Sequence, residues 1–354
     1  MAAYISFQPS DFYNTSLLLG GGGGSCTGKT ITGVGFQGDL TWIKSYSGAN
    51  NHTITDSVRG YNSQLCSAAA TAPTTAADEL LSWNSDGYVL GVDTVAGVVN
   101  NVGVDYAGWN WKAGTTTGKP TVGETITPTG YSYNTTSGIG IYEWEGTSSA
   151  GTIAHGLGTS GNAMLIVKRT NGATDWQVGH AGFTSWVYQI SLNLASSAEA
   201  VSTEVFDSTA PTSTTFSLLD SGGSNYSGRS YVGYLFMERR GFSKFYRYFG
   251  NGNADGPFIY TGFRPAWIMI RRYDVANDWL MYDSKREGYN VDNDYLKANE
   301  NAAEQADVDI DILSNGFKIR TTAAAVNAAS GKYSFAAFAE FPIVSSNSKP
   351  TTAR

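Results

Sequence analysis

Two cysteines in 354 residues leave nothing for a disulfide framework. Cys26 and Cys66 could pair, but two thiols in so long a chain are expected to be free. Three histidines leave little for a zinc site. Charge is scarce too, at 15% against about 25% in an ordinary soluble protein. The net charge of -7 lacks the basic footprint of a nucleic-acid binder. No run approaches the roughly 18 apolar residues of a membrane span, so no membrane insertion is expected. Met1-Ala2-Ala3-Tyr4-Ile5-Ser6 puts no basic segment ahead of an apolar run, so no secretory leader is expected and assembly is placed in a cytoplasm.

What is abundant points to strands. The chain has 42 glycines and 13% aromatic residues. So many rings can bury a large core, which excludes disorder. Gly, Ser, Thr and Asn are poor inside helices, whereas Thr and the aromatics suit strands. A short helix is expected only at Asn301-Ala302-Ala303-Glu304-Gln305-Ala306.

Internal self-similarity is the strongest signal. Three apolar strands end in a base: Leu40-Thr41-Trp42-Ile43-Lys44, Met164-Leu165-Ile166-Val167-Lys168 and Trp267-Ile268-Met269-Ile270-Arg271. Eight residues after each base comes a ring, His52, Trp176 or Trp279, and four further on stands Asp56, His180 or Asp283. Asp56-Ser57-Val58-Arg59 matches Asp283-Ser284-Lys285-Arg286, and both are expected to form internal ion pairs or turn braces. Ser85-Asp86-Gly87 and Ser314-Asn315-Gly316 carry tight-hairpin chemistry. Each copy closes on an aromatic strand: Tyr106-Ala107-Gly108-Trp109-Asn110-Trp111, Tyr231-Val232-Gly233-Tyr234-Leu235-Phe236 and Tyr333-Ser334-Phe335-Ala336-Ala337-Phe338.

The expected fold is all-β, three tandem antiparallel β-sandwich repeats of jelly-roll or lectin-like type. Residues 1–19 are read as an N-terminal assembly segment and 20–114 as repeat 1. Residues 115–138 form a Gly/Thr/Pro linker, 139–245 repeat 2, 246–344 repeat 3 and 345–354 a tail.

Several motifs invite chemistry. Gly23-Gly24-Ser25-Cys26-Thr27-Gly28-Lys29-Thr30 fits the phosphate-loop pattern G-x-x-x-x-G-K-[ST], which needs a helix after it. Ile31-Thr32-Gly33-Val34-Gly35 is β-branched and glycine-broken, so a glycine-rich hairpin is expected there and no cofactor. Glu143 and Glu145, two apart on a strand, lie roughly 6–7 Å apart. That is near the ~5–9.5 Å of glycosidase carboxylates. The third copy lacks the pair, so solvated strand acids are expected and no catalytic residue is assigned. Asp307, Asp309 and Asp311 form either a charged edge strand or oxygen ligands for calcium. His52, His155 and His180 are expected to pack or hydrogen-bond rather than share a metal. Trp109 and Trp111 share one strand face; exposed, they make a stacking platform for a glycan, and buried, they are core, the favoured reading.

Ile5-Ser6-Phe7-Gln8-Pro9-Ser10-Asp11-Phe12-Tyr13-Asn14-Thr15, Thr32-Gly33-Val34-Gly35-Phe36-Gln37, Asp56-Ser57-Val58-Arg59-Gly60 and Gly262-Phe263-Arg264-Pro265-Ala266-Trp267 carry a family likeness. So do Ala107-Gly108-Trp109-Asn110-Trp111-Lys112-Ala113-Gly114 and Phe338-Ala339-Glu340-Phe341-Pro342. Over nearly its whole length the chain resembles virion structural proteins of tailed phages, notably marine ones. The resemblance implies a virion component, loosely tail-fibre or lectin-like, and brings no catalytic motif. The chain departs from it in the run Gly20 to Gly24, which creates the phosphate-loop mimic.

The first expectation is therefore a non-enzymatic virion surface protein, a tail-fibre or adhesin component. It would bind host surface glycan through many weak sites. The second is a head or tail decoration protein, and the third a polysaccharide-degrading tailspike. Expected partners are other virion proteins and further copies of the chain, a trimer first.

Overall fold

The computed structural model describes residues 6–19, 28–93, 98–119, 121–159, 161–195, 198–201, 205–286, 290 and 294–342. Short strands bounded by turns dominate it, as β-branched and aromatic residues punctuated by glycine dictate. The first group comprises β1 (Tyr13–Leu18), β2 (Lys29–Ile31), β3 (Leu40–Ser45), β4 (Thr53–Asp56), β5 (Gly60–Leu65), β6 (Thr74–Thr75), β7 (Leu80–Asn84), β8 (Gly87–Leu90) and β9 (Tyr106–Trp111). The second comprises β10 (Gly130–Asn134), β11 (Ile139–Glu145), β12 (Gly151–Ala154), β13 (Ala163–Arg169), β14 (Gln177–His180), β15 (Tyr188–Ser191), β16 (Ala200–Val201), β17 (Thr215–Leu218) and β18 (Ser230–Met237). The third comprises β19 (Ser243–Phe249), β20 (Phe258–Tyr260), β21 (Phe263–Arg272), β22 (Trp279–Asp283), β23 (Leu296–Lys297), β24 (Ile310–Leu313), β25 (Gly316–Ile319) and β26 (Lys332–Pro342).

Three large sheets have the orders β1-β9-β3-β4-β5-β6, β10-β11-β18-β13-β14-β15-β16 and β19-β26-β21-β22-β23. Three small ones are β2-β8-β7, β12-β17 and β20-β25-β24. In each large sheet the aromatic strand pairs antiparallel with the base-bearing strand in one register. Trp109 faces Trp42, Tyr234 faces Ile166 and Ala336 faces Met269.

Three hydrophobic cores each lie between one large and one small sheet. They are centred on Tyr88 and Tyr106, on Phe216 and Trp144, and on Phe317 and Phe335. Glycines in the aromatic strands make room for these rings. A Cβ on Gly108 would stand 2.4 Å from the Tyr88 hydroxyl oxygen, and one on Gly233 2.9 Å from the Trp144 ring. A fourth core joins the inner faces of all three large sheets, through Trp42, Trp109, Trp111, Ile166, Phe236, Trp267 and Phe338 among others. At its centre each aromatic strand gives one ring. Trp111 and Phe236 lie 6.2 Å apart, Trp111 and Phe338 5.6 Å, and Phe236 and Phe338 5.7 Å, all edge-on. This is the favoured geometry for aromatic pairs. It also explains why the base-bearing strands read as unbroken apolar runs: both of their faces are covered.

Several expectations need revision. Residues 115–138, expected as a linker, supply β10, whose Tyr131-Ser132-Tyr133 lies along β11 from Tyr142 to Gly140. Ser132 is buried there, and its hydroxyl donates to Asp39 at 3.1 Å. Within the expected assembly segment, β1 is a full edge partner of β9. No helix forms at 301–306; Gln305 instead bridges to Tyr295, and an α-helix stands at Ala324–Asn327. Alanine propensity loses at 301–306 because Gln305 exchanges backbone hydrogen bonds with Tyr295. Gly20 to Gly24, Cys26 and the tail 345–354 lie outside the described residues.

Candidate functional site

The phosphate-loop mimic runs into a strand. Lys29 opens β2 opposite Leu90, and its ammonium donates to the Leu19 carbonyl at 3.0 Å. The glycines that follow do hold an anion, but it is the chain's own. The N–H groups of Gly33 and Gly35 donate to the Asp86 carboxylate at 3.0 and 2.7 Å, which holds its pKa below the usual range.

Trp109 and Trp111, the candidate glycan residues, are 0% and 2% exposed, so neither offers a face to a sugar. Their neighbours on adjacent sheets cover them, which spacing along one strand could not reveal. Glu143 is half-buried and Glu145 exposed. Burial first, then Asp56, raises the Glu143 carboxyl, while Arg59 opposes. Asp307 accepts from the Tyr295 hydroxyl at 2.8 Å, and Asp311 pairs with Arg320 at 3.3 Å. Among the described residues no group of three or more His, Cys, Asp or Glu is placed to hold a metal ion.

All three histidines are buried, and burial pushes them down, to about 3 for His52 and His180 and about 4 for His155. Each accepts an N–H at Nδ1: from the Trp42 indole at 2.8 Å, Gly182 at 2.8 Å and Leu157 at 3.0 Å respectively.

The recurrent rings do a common job between sheets. With Nδ1 accepting, His52 Nε2 carries the proton and meets the Lys297 and Glu300 carbonyls of the third sheet's margin at 3.0 and 2.9 Å. Trp176 donates to the Cys66 and Ala69 carbonyls, just beyond β5 of the first sheet, at 3.0 and 3.1 Å. Trp279 donates to Ser191, the last residue of β15 in the second sheet, at 3.1 Å. The contacts therefore run from first to third, third to second and second to first. The bases join them. Lys168 donates to the Ala70 carbonyl at 3.0 Å, and Arg271 to that of Ala195 at 3.4 Å. Burial lowers both, to about 8 for Lys168 and about 10 for Arg271. The two Asp–Arg braces form as expected, Arg59–Asp56 and Arg286–Asp283 both at 2.6 Å.

One feature adjoins this lock. A cavity of about 740 Å³ opens where the 66–79 segment loops away from β5, with His52, Gln64, Leu65, Ala69, Thr74 and Glu79 among its walls. Glu79 is 2% exposed and Gln64 5%. Glu79 is fixed at the mouth of β7, where its carbonyl accepts from Gly91 at 2.6 Å. Its Oε2 and the Gln64 Nε2 are both sealed from solvent. Burial, then the charge of Asp93, push the Glu79 carboxyl up to about 7; a hydrogen bond from the Gln64 side chain pulls the other way. Asp93 is itself held by the N–H groups of Val99 and Asn100 at 2.7 and 3.0 Å. The recess is of ligand size, since such sites run from about 300 to 1,000 Å³, and Asn51, Thr71, Thr74, Thr75 and Asp78 add polar groups to its walls. Sequence reasoning missed Glu79 and Gln64 because neither belongs to a motif; the acid pair Asp78-Glu79 ahead of the apolar pair Leu80-Leu81 is the one signal present.

Comparison with curated proteins and with solved structures finds no match for the chain. A family described as a domain of unknown function, DUF7483, matches residues 8–342, and the chain belongs to that family.

Proposed function

We propose that the protein is a non-enzymatic surface component of a phage virion, built from three copies of one sandwich unit around a pseudo-threefold axis, and that it attaches the particle to a host surface. The recurring strand order, the shared register and the cyclic contacts of His52, Trp176 and Trp279 support the threefold reading. The resemblance to marine phage structural proteins is what supports the virion reading. The single observation that carries attachment is the cavity beside Glu79. It is a formed recess with polar and apolar walls, in a chain whose recurrent polar side chains bind the sheets to one another. Hydrolysis has no such support, because neither Glu143 nor Glu145 lines that cavity.

The closed lock of three sheets also favours a second reading, a decoration protein that braces the particle. Such a body is rigid without a partner, and no trimer is required to complete its core. Quantitative mass spectrometry of purified particles separates the two readings, together with competition by the free chain. An attachment protein is present in few copies, and the free chain blocks adsorption. A decoration protein is abundant and leaves adsorption unchanged.

A further inference from the structure

We propose that the recess beside Gly158 and Arg239 binds the carboxylate of an external ligand, as the matching loop of the first group of strands binds the chain's own Asp86. Neither the attachment nor the decoration reading is needed for it.

Two loops of the chain correspond. Gly33-Val34-Gly35 follows β2, and Gly156-Leu157-Gly158 follows β12. All four glycines are left-handed, with φ of +82°, +84°, +69° and +71°, and the residue between each pair is buried. The strands opposite correspond too. Ile31 pairs with Tyr88 and Ile153 with Phe216, so the residue two before each ring is Asp86 in one case and Thr214 in the other. Each gives its main-chain carbonyl to the loop, Asp86 to the Val34 N–H at 3.1 Å and Thr214 to the His155 N–H at 2.8 Å. Asp86 also gives a carboxylate, and Gly33 and Gly35 donate one N–H to each of its oxygens. That fork suits a planar group with two oxygens. Thr214 has no carboxylate to give, and no acceptor among the described residues meets the Gly156 or Gly158 N–H. The third group has Asn315 in that place, and its loop closes on the Asn315 carbonyl through the Thr261 and Gly262 N–H groups.

Where the acid is lost, cations stand nearby. Three residues past the central rings Trp111, Phe236 and Phe338 come Gly114, Arg239 and Phe341. Arg239 and Arg240 line an open recess of about 480 Å³ with Thr135, Leu157, Gly158 and Thr159. Main-chain carbonyls fix the Arg239 guanidinium: Thr135 accepts from it at 2.9 and 3.2 Å, Leu157 at 2.9 Å and Glu238 at 3.3 Å. These bonds leave one N–H on Nη1 and neutralise no charge. Burial lowers the Arg239 pKa, and no carboxylate among the described residues offsets that. The acid on the wall, Glu238, is already engaged, by the Asn162 amide at 3.1 Å, the Phe245 N–H at 3.3 Å and the Lys244 ammonium at 3.7 Å. A fixed cation beside open glycine N–H groups selects an anion, and the first group shows which shape the glycines hold. The volume suits a ligand of about one acidic sugar, since small-molecule sites start at about 300 Å³.

The test titrates the full chain with sodium methyl glucuronide, with neutral methyl glucoside and with sodium sulfate at matched ionic strength, followed by heteronuclear NMR. Glucuronide shifts the Gly156 and Gly158 amide resonances saturably at millimolar concentration and leaves those of Gly33 and Gly35 unmoved. The glucoside shifts none of them, and sulfate binds more weakly than glucuronide. Thr214→Asp supplies the acid that the first group has, so it takes the glycine N–H groups itself. It weakens glucuronide binding by about tenfold or more with the melting temperature retained. Should it fail to fold, Arg240→Glu at the exposed rim serves instead, with the same loss expected. Failure of glucuronide to bind, equal binding of the glucoside, sulfate binding as tightly as glucuronide, or a variant that binds like wild type overturns the proposal.

Discussion

The Tyr234 hydroxyl of the second sheet donates to Asp56 of the first at 2.7 Å, and the same carboxylate oxygen receives Arg59 at 2.6 Å. Trp109 of the first sheet donates to Asp283 of the third at 3.2 Å, beside Arg286 on that same oxygen at 2.6 Å. One turn brace thus serves twice, and each time its acid is the seat of a contact between sheets.

Removing the acid is expected to cost more than removing its inter-sheet donor. Asp56→Ala leaves the buried Arg59 without its counter-charge and should lower stability by about 3–5 kcal/mol. Tyr234→Phe deletes two hydrogen bonds, one donated to Asp56 and one accepted from Arg59, but leaves the ion pair, and should cost about 1–3 kcal/mol. Denaturant midpoints at unchanged m-value measure both. Equal losses would mean that the acid is not the seat of the brace.

Trp176→Phe and Trp279→Phe keep a ring but delete the indole donor, stranding carbonyls in another sheet. Each should cost about 1–3 kcal/mol. If the contacts close one cycle, the double variant departs from additivity by about 0.5 kcal/mol or more. Strict additivity in a double-mutant cycle would show independent junctions.

Phe338 touches Tyr13, Trp111, Phe236, Phe242, Phe245 and Trp267 within 6 Å between ring centroids. Phe338→Ala should destabilise by about 3–5 kcal/mol through lost transfer energy and a cavity. Phe341→Ala, at an exposed ring on the same strand, should stay within about 0.5 kcal/mol. Thermal melts of both decide it.

Acid should unfold the protein by a defined route. His52, His155 and His180 have folded pKa values near 3, 4 and 3, below their ordinary 6.5. Between those values the unfolded chain binds more protons, so stability rises with pH and is lost on acidification from 6.5. Each group contributes at most about 1.4 kcal/mol per pH unit. Glu79 works the other way. Raised to about 7 from 4.5, it favours the fold at low pH and loses that contribution as pH rises through 7. Glu79→Gln should therefore steepen the acid loss between pH 4.5 and 6.5, and a flat midpoint over that range in wild type would refute the account.

Much of the fold was legible in local chemistry. The hairpin at Asp86-Gly87 forms because that glycine takes φ of +148° where a Cβ would strike the Ile31 carbonyl. The Asp56–Arg59 and Asp283–Arg286 braces are three residues apart and needed no distant partner. The strand at 130–134 was hidden by its glycine- and proline-rich flanks, and its identity depends on β11 lying beside it.

The sequence by itself determined the base-bearing and aromatic strands, the hairpin turns and the matched series of base, ring and acid, because these follow from side-chain periodicity and short-range geometry. Tertiary structure alone decided where those side chains point. Whether Trp109 meets water or Asp283, and whether Glu79 ends in a recess, depends on which sheets pack against which. That is set by residues far apart in the chain, through burial, which local pattern does not encode.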